Sequence, residues 1–146
     1  MSTPGIRHPL PAICGTWKLR SVEERSGGPM LGLQSSVALF HERGEGLYYI
    51  ADSVFAGGDR SHVECSFRLD GQTYPITGSR FGDQVSVKQI APETIEATMY
   101  SDGHLSATVR FTVRDEGAVL IADWTTVPAE GPPLSFSVIS DRVADV

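Results

Sequence analysis

Five polar side chains have chemistry that a largely apolar pocket can use: His41, Tyr48, Tyr49, Arg110 and Asp123. Histidine and carboxylate groups exchange protons, and tyrosine offers a neutral donor to a carbonyl. Arginine holds a carboxylate or an enolate through two N–H groups. These five are the candidate catalytic residues. Because neighbouring strand residues face opposite ways, Tyr48 and Tyr49 cannot both point into one pocket.

The roles of Arg110 and Asp123 depend on which way their strands face. Arg110 belongs to an alternating polar row in residues 104–114. That row either covers a soluble exterior or lines a partly polar lumen. If Trp124 points inward, Asp123 faces solvent; if Asp123 points inward, it is a costly buried acid with a perturbed pKa. Both alternatives stay open for each residue.

Two pairs of histidine and carboxylate have structural explanations as well as chemical ones. Asp102 and His104 flank a glycine at a predicted hairpin tip, where aspartate favours the turn itself. His62 and Glu64 share one face of a predicted strand and fit an outward polar row. The chain has no nucleophile elbow, Ser-His-Asp signature, phosphate-binding glycine loop or metal motif. We therefore expect no metal and no cofactor.

Length and charge narrow the classes of protein. The chain has 146 residues, which suits one domain with a core of its own, and its 15 glycines and 9 prolines favour short elements joined by tight turns. The net charge is −6, without a lysine and arginine cluster. Nucleic acid and anionic membrane are therefore disfavoured as partners.

The N-terminal residues 1–13 carry several prolines and no apolar run, so we expect an extended arm followed by one domain over residues 14–146. Without a signal peptide or a membrane-length segment, the expected location is the cytoplasm. Two cysteines, Cys14 and Cys65, are too few for a disulfide framework and are expected to be reduced. A bridge between them would require their strands to come close.

The hydrophobic pattern predicts an all-β protein. Residues 104–114 alternate between apolar and polar side chains over their whole length, and 61–70 do the same. Turn residues recur at regular spacing, as in Asp70-Gly71 and Asp102-Gly103. About nine short strands with little helix indicate an up-and-down barrel or a sandwich. Residues 30–36 are expected to form a helical turn or a lid, and 53–60 a flexible connection.

Gly15-Thr16-Trp17 opens the first strand and resembles the G-x-W signature of the lipocalin-like, or calycin, superfamily. Tyr74-Pro75, Asp102-Gly103 and the late Arg142 continue the pattern of small bacterial lipocalin-like domains. The resemblance implies a single antiparallel up-and-down barrel with a closed floor at Trp17 and an open mouth. We expect the Arg142 guanidinium to stack on the Trp17 indole while its N–H groups bond nearby carbonyls.

Such a cup predicts binding of one small, largely apolar molecule in the lumen by a monomer or homodimer. The alternative is a cofactor-independent cyclase, isomerase or dehydratase that acts on a biosynthetic intermediate held in the same lumen. An interaction module that pairs through strand edges is disfavoured, because a closed barrel has no free edge. The predicted ligand-binding residues are Leu19, Tyr49, Phe67, Val87, Met99, Val109, Phe111, Trp124 and Phe136.

Overall fold

The computed structural model describes residues 12–24, 32–128 and 130–143. These residues form ten strands and two short 3-10 helices, Ala56–Gly58 and Asp115–Gly117. The all-β prediction is confirmed, with ten strands where about nine were expected. The strands are β1 (Gly15–Glu24), β2 (Leu33–Arg43), β3 (Gly46–Phe55), β4 (Arg60–Phe67), β5 (Asp70–Thr77), β6 (Gln84–Ala91), β7 (Thr94–Ser101), β8 (His104–Arg114), β9 (Val119–Thr126) and β10 (Leu134–Arg142).

The strands form one closed antiparallel barrel in which each strand pairs with its neighbours in sequence and β1 pairs with β10. Alternation along each strand sorts the side chains into an inner and an outer set. In β8, Ala107, Val109 and Val113 are buried, whereas Arg110 is exposed between them. Barrel closure therefore gives the apolar half of each strand a common core.

The N-terminal arm predicted for residues 1–13 lies almost wholly outside the described residues. Its last two positions, Ala12 and Ile13, form a turn. Ile13 is only 2% exposed and belongs to the buried core. The described part of the chain contains no helix that is long and apolar enough to cross a bilayer.

One end of the barrel, the floor, is sealed by Trp17 and Arg142. Trp17 is fully buried, and its indole N–H donates to the Ile13 carbonyl at 2.8 Å. The guanidinium carbon of Arg142 lies 4.3 Å from the centre of the indole. The predicted stacking is thus confirmed. Arg142 also donates to the carbonyls of Gly117, Cys14 and Ala12, at 2.6, 2.8 and 2.7 Å.

The opposite end is the mouth, and two predictions there were wrong. The described part of segment 30–36 is neither a helical turn nor a lid, because β2 begins at Leu33; residues 30 and 31 lie outside the described ranges. The expected connection at 53–60 is strand as far as Phe55. The two extensions pair with each other across a register shift between Leu33 and Ser35. Such a shift breaks the apolar alternation that would reveal the strand in sequence.

The Asp70-Gly71 pair lies at the turn between β4 and β5, as predicted. Glu64 pairs with Thr77 and Cys65 with Ile76, a register whose centre falls between Asp70 and Gly71. Gly71 has φ of +79°, which suits a tight turn. The pairing of β5 with β6 shifts register between Asp70 and Thr73, so the turn also interrupts the ladder on the β6 side.

Candidate functional site

An apolar cavity lies inside the barrel between floor and mouth. Its volume is about 140 Å³. Its wall is mostly aliphatic and aromatic, which favours apolar ligands through the area removed from water. Seven of the nine predicted ligand-binding residues line it: Tyr49, Phe67, Val87, Met99, Val109, Phe111 and Trp124.

Leu19 and Phe136 do not line the cavity. Leu19 pairs with Ser140, and the register of β1 shifts immediately after it. Phe136 is fully buried and stacks on Trp124 with the ring centres 5.9 Å apart. Phe136 therefore supports the indole that faces the cavity and is not itself part of the wall.

The inner face of β2, β3 and β4 is arranged in layers that follow the strand register. Ser36 pairs with Ser53, and Ser53 pairs with Ser61; we call these three residues the serine row. All three line the cavity near the mouth. The layers toward the floor are Ala38, Ala51 and Val63, followed by Phe40, Tyr49 and Cys65. The polarity of this wall thus falls from the mouth toward the floor.

The loop of residues 78–83 crosses the mouth and is attached on both sides. A side chain at Gly78 would place its Cβ 1.8 Å from the His62 carbonyl oxygen, and one at Gly82 would lie 2.6 Å from that of Tyr100. The Asp83 N–H donates to the Tyr100 carbonyl at 2.9 Å. Only glycine permits these close approaches of backbone to backbone. The loop is therefore fixed across the mouth by its contacts with β4 and β7.

This loop brings two different side chains to the mouth. The Phe81 ring packs on Trp124 with the centres 4.8 Å apart. The Arg80 guanidinium lies over the Phe55 ring, 4.2 Å from its centre. Both Arg80 and Phe81 line the cavity. Among the described residues of the cavity wall, Arg80 is the only one with a formal charge.

Tyr49 is the one candidate catalytic residue that lines the cavity. Its ring packs against Phe40 at 4.7 Å between centres, and burial raises the pKa of its hydroxyl. Cys65 lies beside it in register, and burial raises the pKa of that thiol to about 12. Both groups are therefore neutral near pH 7 and suited to donating hydrogen bonds, not to accepting protons or attacking as nucleophiles. Cys14 and Cys65 are both free thiols.

His41 and Tyr48 lie on the outer face of the barrel. Their rings meet edge to face at 5.2 Å, and the Arg43 guanidinium lies 3.8 Å from the centre of the Tyr48 ring. The Tyr48 hydroxyl donates to Glu64, which raises the pKa of Tyr48 and lowers that of Glu64. Neither His41 nor Tyr48 lines the cavity.

The outer face of β3 and β4 also carries His62, whose Nδ1 lies 2.5 Å from an Asp52 carboxylate oxygen and whose Nε2 lies 3.5 Å from Glu64. The hydrogen bond to Asp52 raises the pKa of His62. These groups form a surface network outside the barrel.

Arg110 and Asp123 also point away from the cavity. Arg110 is 55% exposed and donates to Glu96 at 2.9 Å. Asp123 is half-buried and accepts a hydrogen bond from Ser137 at 2.5 Å. The structure therefore does not bring these two residues together with Tyr49.

Within the described ranges, no group of three or more histidine, cysteine, aspartate or glutamate side chains is placed to hold a metal ion. The polar residues of the mouth, namely the serine row and Arg80, were not predicted from the sequence. Ser36 was assigned to the expected turn or lid at 30–36 and Ser53 to the expected connection at 53–60, so no strand face was predicted for either residue. The alternation of small residues in Ser36-Val37-Ala38 and Ala51-Asp52-Ser53 was the available signal.

No family model matches the chain, and no curated protein matches it. A structure of EF1p2_mFAP2b bound to DFHBI has a TM-score of 0.50 and 13% sequence identity, covering 90% of this chain and 94% of that one.

Two further solved structures are similar at lower scores. The siderocalin Ex-FABP has a TM-score of 0.40 and 15% identity, covering 92% of this chain and 76% of the other. Bovine odorant binding protein in complex with a selenium-containing odorant has a TM-score of 0.43 and 13% identity, covering 93% and 73%. With its ten up-and-down strands, closed topology and sealed floor, the chain has a lipocalin-like fold.

Proposed function

We propose that this protein binds one small, largely apolar molecule inside its barrel. The observation that carries the proposal is the cavity of about 140 Å³ with a mostly apolar wall. Burial of ligand surface there supplies affinity at roughly 25 cal/mol per Å² of apolar area. EF1p2_mFAP2b, which shares the fold, was solved with DFHBI bound, and this agrees with the proposal. The cytoplasmic location and the monomeric or homodimeric state stay predictions from the sequence.

The cavity chemistry does not favour the enzyme alternative. Catalysis of an isomerisation or dehydration needs a proton donor and acceptor within reach of one bound substrate. Of the five candidates, only Tyr49 lines the cavity, and its pKa is raised. The described wall instead offers neutral hydroxyls, one thiol and a guanidinium. These groups can orient a ligand, and binding without chemistry is the simpler function for them.

The test uses 4-phenylbutanamide, a neutral molecule with one aromatic ring, and isothermal titration calorimetry. We expect binding of one molecule per chain, accompanied by a change in Trp124 fluorescence. Ala51→Leu should weaken this binding by at least about tenfold, because three added carbon atoms fill the cavity space. Ala51 lines the cavity and is 7% exposed.

Ala118→Leu is the matched control, because Ala118 is exposed next to the 3-10 helix Asp115–Gly117. This variant should bind like the parent chain. Equal affinity of the Ala51→Leu and Ala118→Leu variants, or no binding of either this amide or the corresponding carboxylate, 4-phenylbutyrate, to a folded protein, would rule out the proposed function. If the proposal is correct, native mass spectrometry of protein purified from its own host should identify a small molecule that stays bound.

A further inference from the structure

We propose that the ligand carries a carboxylate, which Arg80 and the serine row bind at the mouth while the apolar body of the ligand fills the cavity. This proposal rests on the proposed function and names the ligand class: small amphipathic monocarboxylates. Three features of the cavity support it: a row of hydroxyl groups at the mouth, a cation beside that row and a mostly apolar wall below it.

The serine row is a continuous line of hydroxyl-bearing residues across three neighbouring strands. Ser36, Ser53 and Ser61 occupy directly paired positions on β2, β3 and β4, and all three line the cavity. Paired positions on adjacent strands lie about 5 Å apart. The remaining described wall of the cavity, apart from the loop of residues 78–83, is predominantly apolar. The serine row and the loop of residues 78–83 therefore offer polar ligand atoms a cluster of partners at the mouth, whereas the polar groups deeper in the wall, Tyr49, Cys65 and Ser140, are separated by apolar side chains.

The hydrogen bond within the row leaves donors for a ligand. The Ser53 hydroxyl donates to the Ser36 oxygen at 3.1 Å. A hydroxyl has a single proton to donate, so this bond uses the proton of Ser53 and leaves the proton of Ser36 to point elsewhere. A carboxylate accepts several hydrogen bonds and donates none, so it complements a row of donors.

Arg80 places a positive charge beside the same row. Its guanidinium lies over the ring of Phe55, two residues beyond Ser53 on the same face of β3, or about 7 Å along the strand. The loop that carries Arg80 is held against β4 and β7 by the close approaches at Gly78 and Gly82. The cation is thus attached to a loop of defined position, which reduces the ordering cost when an anion binds.

The rest of the cavity wall indicates the size of the apolar end of the ligand and the number of charges that the ligand carries. Toward the floor, the serine row is followed by Ala38, Ala51 and Val63, whose small side chains leave room for a hydrocarbon chain or a single ring. One cation in the described cavity wall suits a monoanion. A dianion such as a phosphate monoester is disfavoured, because the whole chain carries a net charge of −6.

The test compares 4-phenylbutyrate with its neutral analogue 4-phenylbutanamide on the full chain by isothermal titration calorimetry. We expect the carboxylate to bind about threefold to tenfold more tightly at low salt, which is the range for a charge-assisted hydrogen bond at an exposed rim. Added salt should reduce this preference, because exposed charges are screened.

Two pairs of variants identify the residues. Arg80→Gln should remove the carboxylate preference and leave the affinity for the amide unchanged, whereas Arg60→Gln, which removes the same charge from an exposed position outside the cavity wall, should leave both affinities unchanged. Ser61→Ala should weaken carboxylate binding, whereas Ser66→Ala on the outer face of the same strand should not.

The two proposals fail in different ways. If the amide and the carboxylate bind equally in the parent chain, or Arg80→Gln and Arg60→Gln have the same effect, the carboxylate site is overturned while the apolar cavity keeps its proposed function. If neither probe binds to the folded chain, both proposals are overturned. Circular dichroism of each variant shows whether the barrel is folded in every comparison.

Discussion

At the scale of single residues, Arg142 is the side chain on which most of the floor depends. It stacks on Trp17 and donates to three backbone carbonyls, two in the segment before β1 and one between β8 and β9. The planar fork of arginine reaches several acceptors at once, and lysine has a single nitrogen at the end of a flexible stem. The floor therefore requires arginine for its geometry as well as its charge.

Arg142→Lys should accordingly lower the free energy of unfolding by about 2–3 kcal/mol, because at least two carbonyls lose a charged donor. Urea unfolding followed by circular dichroism measures this change. Arg114→Lys is the control, since Arg114 is exposed at the same end of the barrel and keeps its charge. A loss no larger than that of the control would show that the fork is not needed.

The surface histidine His62 gives a prediction about pH. Its hydrogen bond to Asp52 raises its pKa above the ordinary value of 6.5, and Glu64 adds to this effect. A raised pKa in the folded state means that protonated His62 stabilises the fold at acidic pH. This contribution is complete below the pKa of the unfolded chain and disappears as the pH rises through the folded pKa.

Titration of the His62 ring protons by NMR should therefore give a pKa above 6.5 in the parent chain and a lower value in Asp52→Asn. His62→Gln should lose stability at about pH 5.5 and not at about pH 8.5, as measured by urea unfolding. Equal losses at both pH values would contradict an effect of the histidine charge.

The sequence predicts single residues well where one side chain has one evident partner. Trp17 and Arg142 were predicted to meet because an indole and a guanidinium at opposite ends of a barrel sequence suit each other chemically. Arg80 was missed because the sequence of a loop does not show where that loop lies relative to the opening of the barrel. The serine row was missed because Ser36 and Ser53 lie in segments expected to be a turn or lid and a connection, and a register shift between Leu33 and Ser35 interrupts the alternation there.

At the scale of elements, the loop of residues 78–83 determines the shape of the mouth. Glycine is needed at its first position for two separate reasons: Gly78 has φ of +80°, and a Cβ there would lie 1.8 Å from the His62 carbonyl oxygen. Gly58 has a similar φ of +92° with no atom within 4 Å of its Cβ position. Substitutions at these two glycines therefore distinguish the cost of backbone strain, which both positions share, from the cost of a steric clash, which arises only at Gly78.

Gly58→Ala should cost about 1 kcal/mol, the usual penalty for a side chain at positive φ. Gly78→Ala should cost at least about 3 kcal/mol, because the loop or β4 must also move away from the added methyl group. Thermal or urea unfolding of both variants measures the difference. Equal costs would mean that the loop moves freely and is not held against β4.

Most strands could be predicted because their inner and outer faces alternate without interruption. β8 has the same bounds in structure and sequence analysis, His104–Arg114. The mouth ends of β2 and β3 could not be predicted, since they pair with each other across a register shift and carry serine where the pattern calls for apolar residues. Pairing across the sheet stabilises these segments, and this information is not present in either segment alone.

At the scale of the whole molecule, β1 and β10 join the two ends of the chain. Pairing of β1 with β10 runs from Trp17 with Arg142 to Glu24 with Phe136, and Val143 N–H donates to the Thr16 carbonyl at 2.8 Å. In a closed sheet every strand has two partners, so unfolding of one half breaks hydrogen bonds along both borders of the other half. The barrel is therefore expected to unfold as one unit.

The two tryptophans test this expectation, because Trp17 lies in the floor and Trp124 lines the cavity. In Trp124→Phe, the remaining indole reports the floor; in Trp17→Phe, it reports the cavity. Within each variant, fluorescence and far-ultraviolet circular dichroism should give the same urea midpoint. A floor signal that persists beyond the loss of strand content would show two separately folding parts.

The sealed floor has a consequence for exchange. Because the indole and the guanidinium close one end, a ligand bound as we propose would leave the cavity through the same opening by which it entered. A second ligand would then be unable to displace the first through the opposite end. A protein that delivered or removed such a ligand would have to approach the mouth, where Arg80 and Phe81 line the cavity, and not the outer face around Tyr48.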